Sequence, residues 1–183
     1  MILRRILFLI VGAASIMNAQ DDPQYTKDGA MRLPANYREW IFLSAGLAMT
    51  YGPAGQANAQ GNPRFDNVFV SPAAYRSFLK TGTWPDKTVM VLEIRGSDSH
   101  VSINNGGQVQ TGLDAVEVHV KDAARFKGGW AFFAFNRSDT AKLIPTSANC
   151  YSCHEQHGSV DTTFVQFYPT LIDVAKQKGT FKQ

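Results

Sequence analysis

The sequence predicts an α+β fold: a single domain, mainly antiparallel β-sheet with a few helices, and not a four-helix bundle. Three observations predict it. "TVMVLEI" (Thr88–Ile94), "AVEVHVK" (Ala115–Lys121) and "GWAFFAF" (Gly129–Phe135) are rich in β-branched and aromatic residues and bounded by glycine, asparagine and aspartate clusters, which marks strands. Segments with helical signals are few and short. The chain of 183 residues has room for one ordinary domain with a sizeable core, and it shows no internal repeat or charge block that would argue for more.

The elements follow in order. Residues 1–19 carry Arg4 and Arg5, an apolar run from Ile6 to Ala14 and small residues ending at Ala19. This reads as a secretory leader cleaved after Ala19, too short and too poorly flanked to span a membrane. Residues 20–183 are then the mature domain, expected in the periplasm without a membrane anchor. Asn36 to Ser44 is expected to be helical. "YGPAGQANAQGNPRF" (Tyr51–Phe65) reads as a long loop, and "NVFV" (Asn67–Val70) as a short strand. In "SPAAYRSFLKTG", Ser71 stands as N-cap, Pro72 in the first turn and Gly82 as the stop of a helix. The three strong strands come next. A last helix is expected from about Thr163, interrupted by Pro169.

Charge excludes some partners. The 18 basic and 15 acidic side chains become 16 and 15 when Arg4 and Arg5 leave with the leader. Such a balanced chain gives no support to nucleic-acid or anionic-membrane binding.

The chemistry is concentrated in "ANCYSCHEQHG" (Ala148–Gly158), which holds both cysteines of the chain. Cys-x-x-Cys-His is the spacing by which two thiols add to the vinyl groups of a haem while the adjacent histidine ligates the iron. Cys150 and Cys153 would carry the thioether bonds and His154 the proximal bond. The alternatives are a dithiol redox pair, which belongs at the start of a helix in a βαβ unit, and half of a zinc site, which needs two more ligands. Export agrees with the haem reading, because haem attachment of this kind takes place outside the inner membrane. Only 29 residues follow His154 and none is methionine; Met31, Met49 and Met90 all precede it. A methionine downstream, the usual sixth ligand of small electron carriers, is therefore missing.

"LPANYREW" (Leu33–Trp40), "VKDAARF" (Val120–Phe126), "GWAFFAF", "SANCYSCH" (Ser147–His154) and "FYPTL" (Phe167–Leu171) together resemble the cytochrome P-460 family and its relatives, the cytochromes c′-β. "SPAAY" and "GTWPDKTVMVLE" fit between these blocks, so the resemblance runs over nearly the whole mature chain. It implies a homodimer of largely antiparallel sheet, with one covalent haem c per chain and five-coordinate iron open on the distal side.

The resemblance also implies where this chain departs from the enzymes of the family. Their haem-crosslinking lysine corresponds to Leu92, which has no nucleophilic atom. Lys87 and Lys80 are the alternatives in a shifted register, though both read as solvated. Their distal arginine corresponds to Asp66, with Arg64 two residues away and on the same face of an extended strand. Glu117 falls where they carry a distal acid that accepts a proton. Alternation puts Ala115, Glu117, His119 and Lys121 on one face and Val116, Val118 and Val120 on the other. The first set is then either a wet face or a haem-pocket wall. Cytochromes c′-β line the distal pocket with phenylalanine, for which Phe42, Phe65 and above all Phe69 are candidates beside plain core roles. His100 lies in a polar loop, and His157 is on the same side of the iron as His154.

Three functions are compatible with these residues. The first is a haem protein binding nitric oxide or a similar small ligand at open iron. The second is an oxidoreductase converting hydroxylamine, with Glu117 as proton acceptor. The third is an electron-transfer cytochrome serving an unknown redox partner, with His119 or a lysine as sixth ligand.

Overall fold

A computed structural model describes residues 21–51 and 62–182. The expected leader and most of the Tyr51–Phe65 loop lie outside the described residues. The elements are β1 (Met31–Arg32), β2 (Ile41–Leu47), β3 (Phe65–Val70), α1 (Pro72–Thr81), β4 (Val89–Asp98), β5 (Val109–Lys121), β6 (Trp130–Phe135), β7 (Thr140–Ala141), α2 (Asn149–His157) and α3 (Pro169–Gln177). The fold is α+β, as the sequence predicts. Strands β2 to β6 form a five-stranded antiparallel sheet in sequence order, and β1 pairs with β7 in a small second sheet.

Both faces of the main sheet carry apolar residues. On one face Val89, Val91, Val116, Val118, Val120 and Phe133 pack beneath the N-terminal segment, with Met31, Tyr37 and Trp40. On the other, Val70 and Met90 pack against Phe78 of α1 and Leu171 and Ala175 of α3. The helices cover only part of this second face. The remainder is the wall of a cavity.

Helix α1 forms where its punctuation places it. Ser71 is extended (φ −56°, ψ 137°), Pro72 occupies the first turn, and Gly82 ends the helix at φ 73° with its N–H on the carbonyl of Phe78, the left-handed stop that favours glycine.

Two expectations are corrected. The Asn36–Ser44 helix is instead a single 3-10 turn, Tyr37–Glu39, followed by β2. Trp40, Ile41 and Phe42 are β-prone, and pairing Ile41–Leu47 with β3 supplies hydrogen bonds that a nine-residue helix, with its unfavourable nucleus, cannot match. Pro169 does not interrupt the last helix but begins it: a 3-10 turn at Val165–Phe167 precedes α3, whose first turn Pro169 occupies. Proline is favoured there because that position has no hydrogen-bond partner to lose. Strands β4 and β5 also run further than expected, through a bulged extension, exposed on its β5 side, in which Ser97 pairs with Gln110.

Candidate functional site

Helix α2 carries the Cys-x-x-Cys-His motif. Positions 150, 153 and 154 are three and four apart, so they share one helical face, and all three line a cavity of about 880 Å³. That lies within the roughly 300–1,000 Å³ of cofactor sites. Tyr151 fixes the helix to the sheet: its hydroxyl donates to the carbonyl of Ile144 at 2.9 Å and accepts from the N–H of Phe132 at 3.4 Å.

Both thiols are free, and burial raises the pKa of Cys150, keeping it protonated. The chain then turns back sharply at Gly158, where an added Cβ would stand 2.6 Å from the carbonyl oxygen of His154 and 2.9 Å from the backbone of Thr162 and Thr163. Only glycine permits this approach. The return brings the carbonyl of Thr162 to 2.8 Å from His154 Nδ1. A carbonyl only accepts, so Nδ1 carries the proton and Nε2 offers its lone pair. Burial lowers the His154 pKa, which favours this neutral form. Two free thiols and an oriented imidazole on one cavity fit a haem bound through its vinyl groups and iron. A zinc ion would need two further ligands, and among the described residues no group of three or more His, Cys, Asp or Glu is assembled to hold a metal.

The facing wall is the sheet itself. Ser44, Val68, Leu92 and Glu117 lie in one row across β2 to β5, with Gly46, Asp66, Ile94 and Ala115 in the next. All but Ala115 line the cavity. Burial raises the pKa of Glu117, and burial followed by the charge of Glu117 raises that of Asp66. The structure thus gathers Leu92, Glu117 and Asp66 around the same cavity as Cys150, Cys153 and His154.

A family model for cytochrome P460 matches residues 34–165. The chain belongs to the cytochrome P460 family. A comparison with curated proteins finds no match. Family membership makes this a c-type haem protein of the P460 and cytochrome c′-β kind.

Several candidates look different within this P460-type site. His119 lines the cavity beside His154, their ring centroids 4.9 Å apart at 76°. Both rings turn toward Thr162, whose carbonyl stands 2.8 Å from His154 Nδ1 and whose hydroxyl stands 3.4 Å from His119 Nε2. His119 therefore accompanies the proximal ligand. Burial holds its pKa well below the usual value, and the charge of His154 lowers it further. His157, in the last turn of α2, also lines the cavity, while His100 is exposed beside Asp98.

Phe42, Phe65 and Phe69 are not among the lining residues. Asp66 and Val68 face the cavity, and period-two alternation turns Phe65 and Phe69 away from it. Phe69 packs against the opposite core, with Tyr37 at 5.9 Å and Phe42 at 5.7 Å. The cavity aromatics of this P460 family member are instead Tyr51, Phe132, Phe164, Phe167 and Tyr168. Phe132 and Phe167 sit in the "GWAFFAF" and "FYPTL" blocks, whose aromatic content is the only sequence signal for them. Met49 and Met90 line the cavity too, although both precede the motif.

The lysines lie elsewhere. Lys87, in a left-handed turn at φ 65°, is bound to Asp122, and Lys80 is exposed near the end of α1. Arg64 points outward to Asp114 at 3.1 Å. No lysine is among the described residues lining the cavity.

Proposed function

We propose that this chain is an exported cytochrome with one haem c, joined by thioethers at Cys150 and Cys153, ligated by His154, and left five-coordinate to bind nitric oxide or a similar small neutral ligand. The observation that carries this reading is the position of His119 against His154, which leaves the wall of Val68, Leu92 and Ile94 free of imidazole and amine. The haem supplies the iron to which a small ligand attaches. Leu92, Val68 and Ile94 keep that side apolar, and Asp66 with Glu117 disfavours anions. The test is electron paramagnetic resonance of the ferric protein, with and without nitric oxide. A mainly high-spin signal converted by nitric oxide supports the proposal; a dominant low-spin signal overturns it.

A second reading, oxidation of hydroxylamine, is favoured by Glu117. Its raised pKa and its place on the cavity wall suit a proton acceptor. Against it stands Leu92 at the position of the crosslinking lysine. Turnover of hydroxylamine by the purified holoprotein separates this reading from simple binding.

A further inference from the structure

Neither reading gives the buried imidazole of His119 a chemical role of its own. It is 8% exposed. Phe132 stacks on it at 4.0 Å and 8°, and Trp130 lies 4.4 Å away on a tilt. Its edge meets His154, and its Nε2 stands 3.4 Å from the hydroxyl of Thr162. Thr162 thereby touches both rings, His119 through its side chain and His154 through its carbonyl at 2.8 Å. Contact with two aromatic rings holds the plane of this buried ring, and its hydrogen bond orients the Thr162 side chain in turn.

We propose that His119 is a positioning residue for the proximal ligand, holding the His154 imidazole in place through Thr162. The inference rests on His154 ligating the haem iron. An imidazole whose Nδ1–H is firmly held by an acceptor donates more strongly through Nε2, which strengthens the iron–histidine bond and favours ferric iron. Loosening Thr162 weakens both effects. The Phe132 and Trp130 rings can still hold a phenylalanine at position 119, so packing and hydrogen bonding are separable.

The experiment uses the ferrous holoprotein and reads the iron–histidine stretching band by resonance Raman together with the reduction potential. Three variants are compared with wild type: His119→Phe, Thr162→Val, which removes the hydroxyl and keeps the carbonyl, and Thr162→Ser, which restores the hydroxyl. His119→Phe and Thr162→Val should each lower the stretching frequency and raise the potential. Their combination should go no further than either alone, because both break one link. Thr162→Ser should resemble wild type. An unshifted band in Thr162→Val, or fully additive shifts, overturns the role of His119, and the Thr162→Val band alone is decisive even if His119→Phe does not fold. Absence of an iron–histidine band from wild type would refute five-coordinate ligation by His154, which is a different failure.

Discussion

Leu92 and Glu117 are direct cross-strand partners in the wall of the cavity. An apolar side chain thus stands beside an acid at the place that the family resemblance matches to the crosslinking lysine. Opposite residues in an antiparallel pair lie about 5 Å apart, so any amine placed at 92 would meet the Glu117 carboxylate.

Wild-type protein should accordingly show an ordinary ferrous c-type spectrum, with haem recovered only on the peptide containing Cys150 and Cys153. Leu92→Lys should add an amine that pairs with Glu117. A red-shifted band and a second haem-bearing peptide after exposure to oxidant would mark crosslinking. Crosslinked haem in the wild type would reverse the ranking of the two proposed functions.

Haem attachment should depend on the motif residue by residue. Intact-mass measurement of the purified holoprotein should show one haem added. Cys150→Ser or Cys153→Ser should leave haem held by a single bond, the double variant should lose it under denaturation, and His154→Ala should abolish the iron–histidine signal.

The raised pKa values of Asp66 and Glu117 make the cavity wall sensitive to pH. Each acid holds its proton above the usual carboxylate range, so lowering the pH neutralises the wall early and admits anions. Azide affinity of the ferric protein should therefore increase as pH falls from neutral. Glu117→Gln should raise that affinity about tenfold at neutral pH, a change of the size expected for one nearby charge at intermediate dielectric, and flatten the profile. The stability sign is the matching one: an acid with raised folded pKa stabilises the fold below its unfolded pKa and loses that contribution as pH rises through the folded value. Glu117→Gln should raise the Tm at neutral pH.

Met49 offers the cavity a thioether, with the hydroxyl of Tyr51 3.8 Å from its sulfur. If the iron is five-coordinate, Met49→Leu leaves the ferric spin state unchanged. A low-spin wild type that becomes high-spin in Met49→Leu would establish an electron carrier instead.

Strand β2 is an edge of the main sheet, and Phe42 and Leu47 on it are 53% and 47% exposed. Edge strands with exposed apolar residues seek partners, and the homodimer that the family resemblance implies would cover this one. Light scattering should give a dimer mass for wild type, and Phe42→Asp with Leu47→Lys should shift it toward monomer.

The motif and the strongest strands are legible in the sequence because each has a local signature. Cys150, Cys153 and His154 are fixed by spacing, and β4 to β6 by their β-branched and aromatic residues. Helix α2 is not legible: it buries no residue fully, so it carries no apolar stripe to read. The cavity aromatics escape sequence reading for a related reason. With both faces of β3 packed, Phe65 and Phe69 alternate with Val68 and Val70, and no contrast between polar and apolar positions sets the phase. The partnership of His119, Thr162 and His154 depends on the return of the chain at Gly158 and has no sequence signal beyond the glycine itself.

Because β4 and β5 show dry core on one side and cavity on the other, neighbouring positions answer to different pressures. Val91 and Val116 hold the sheet to its N-terminal cover, while Leu92 and Glu117, one step along the same strands, face the cavity. A library randomised at 66, 68, 92, 94 and 117 should therefore change ligand preference and haem chemistry widely while most of its members still fold, so that reactivity in this scaffold can diversify by single steps without redesign of its core.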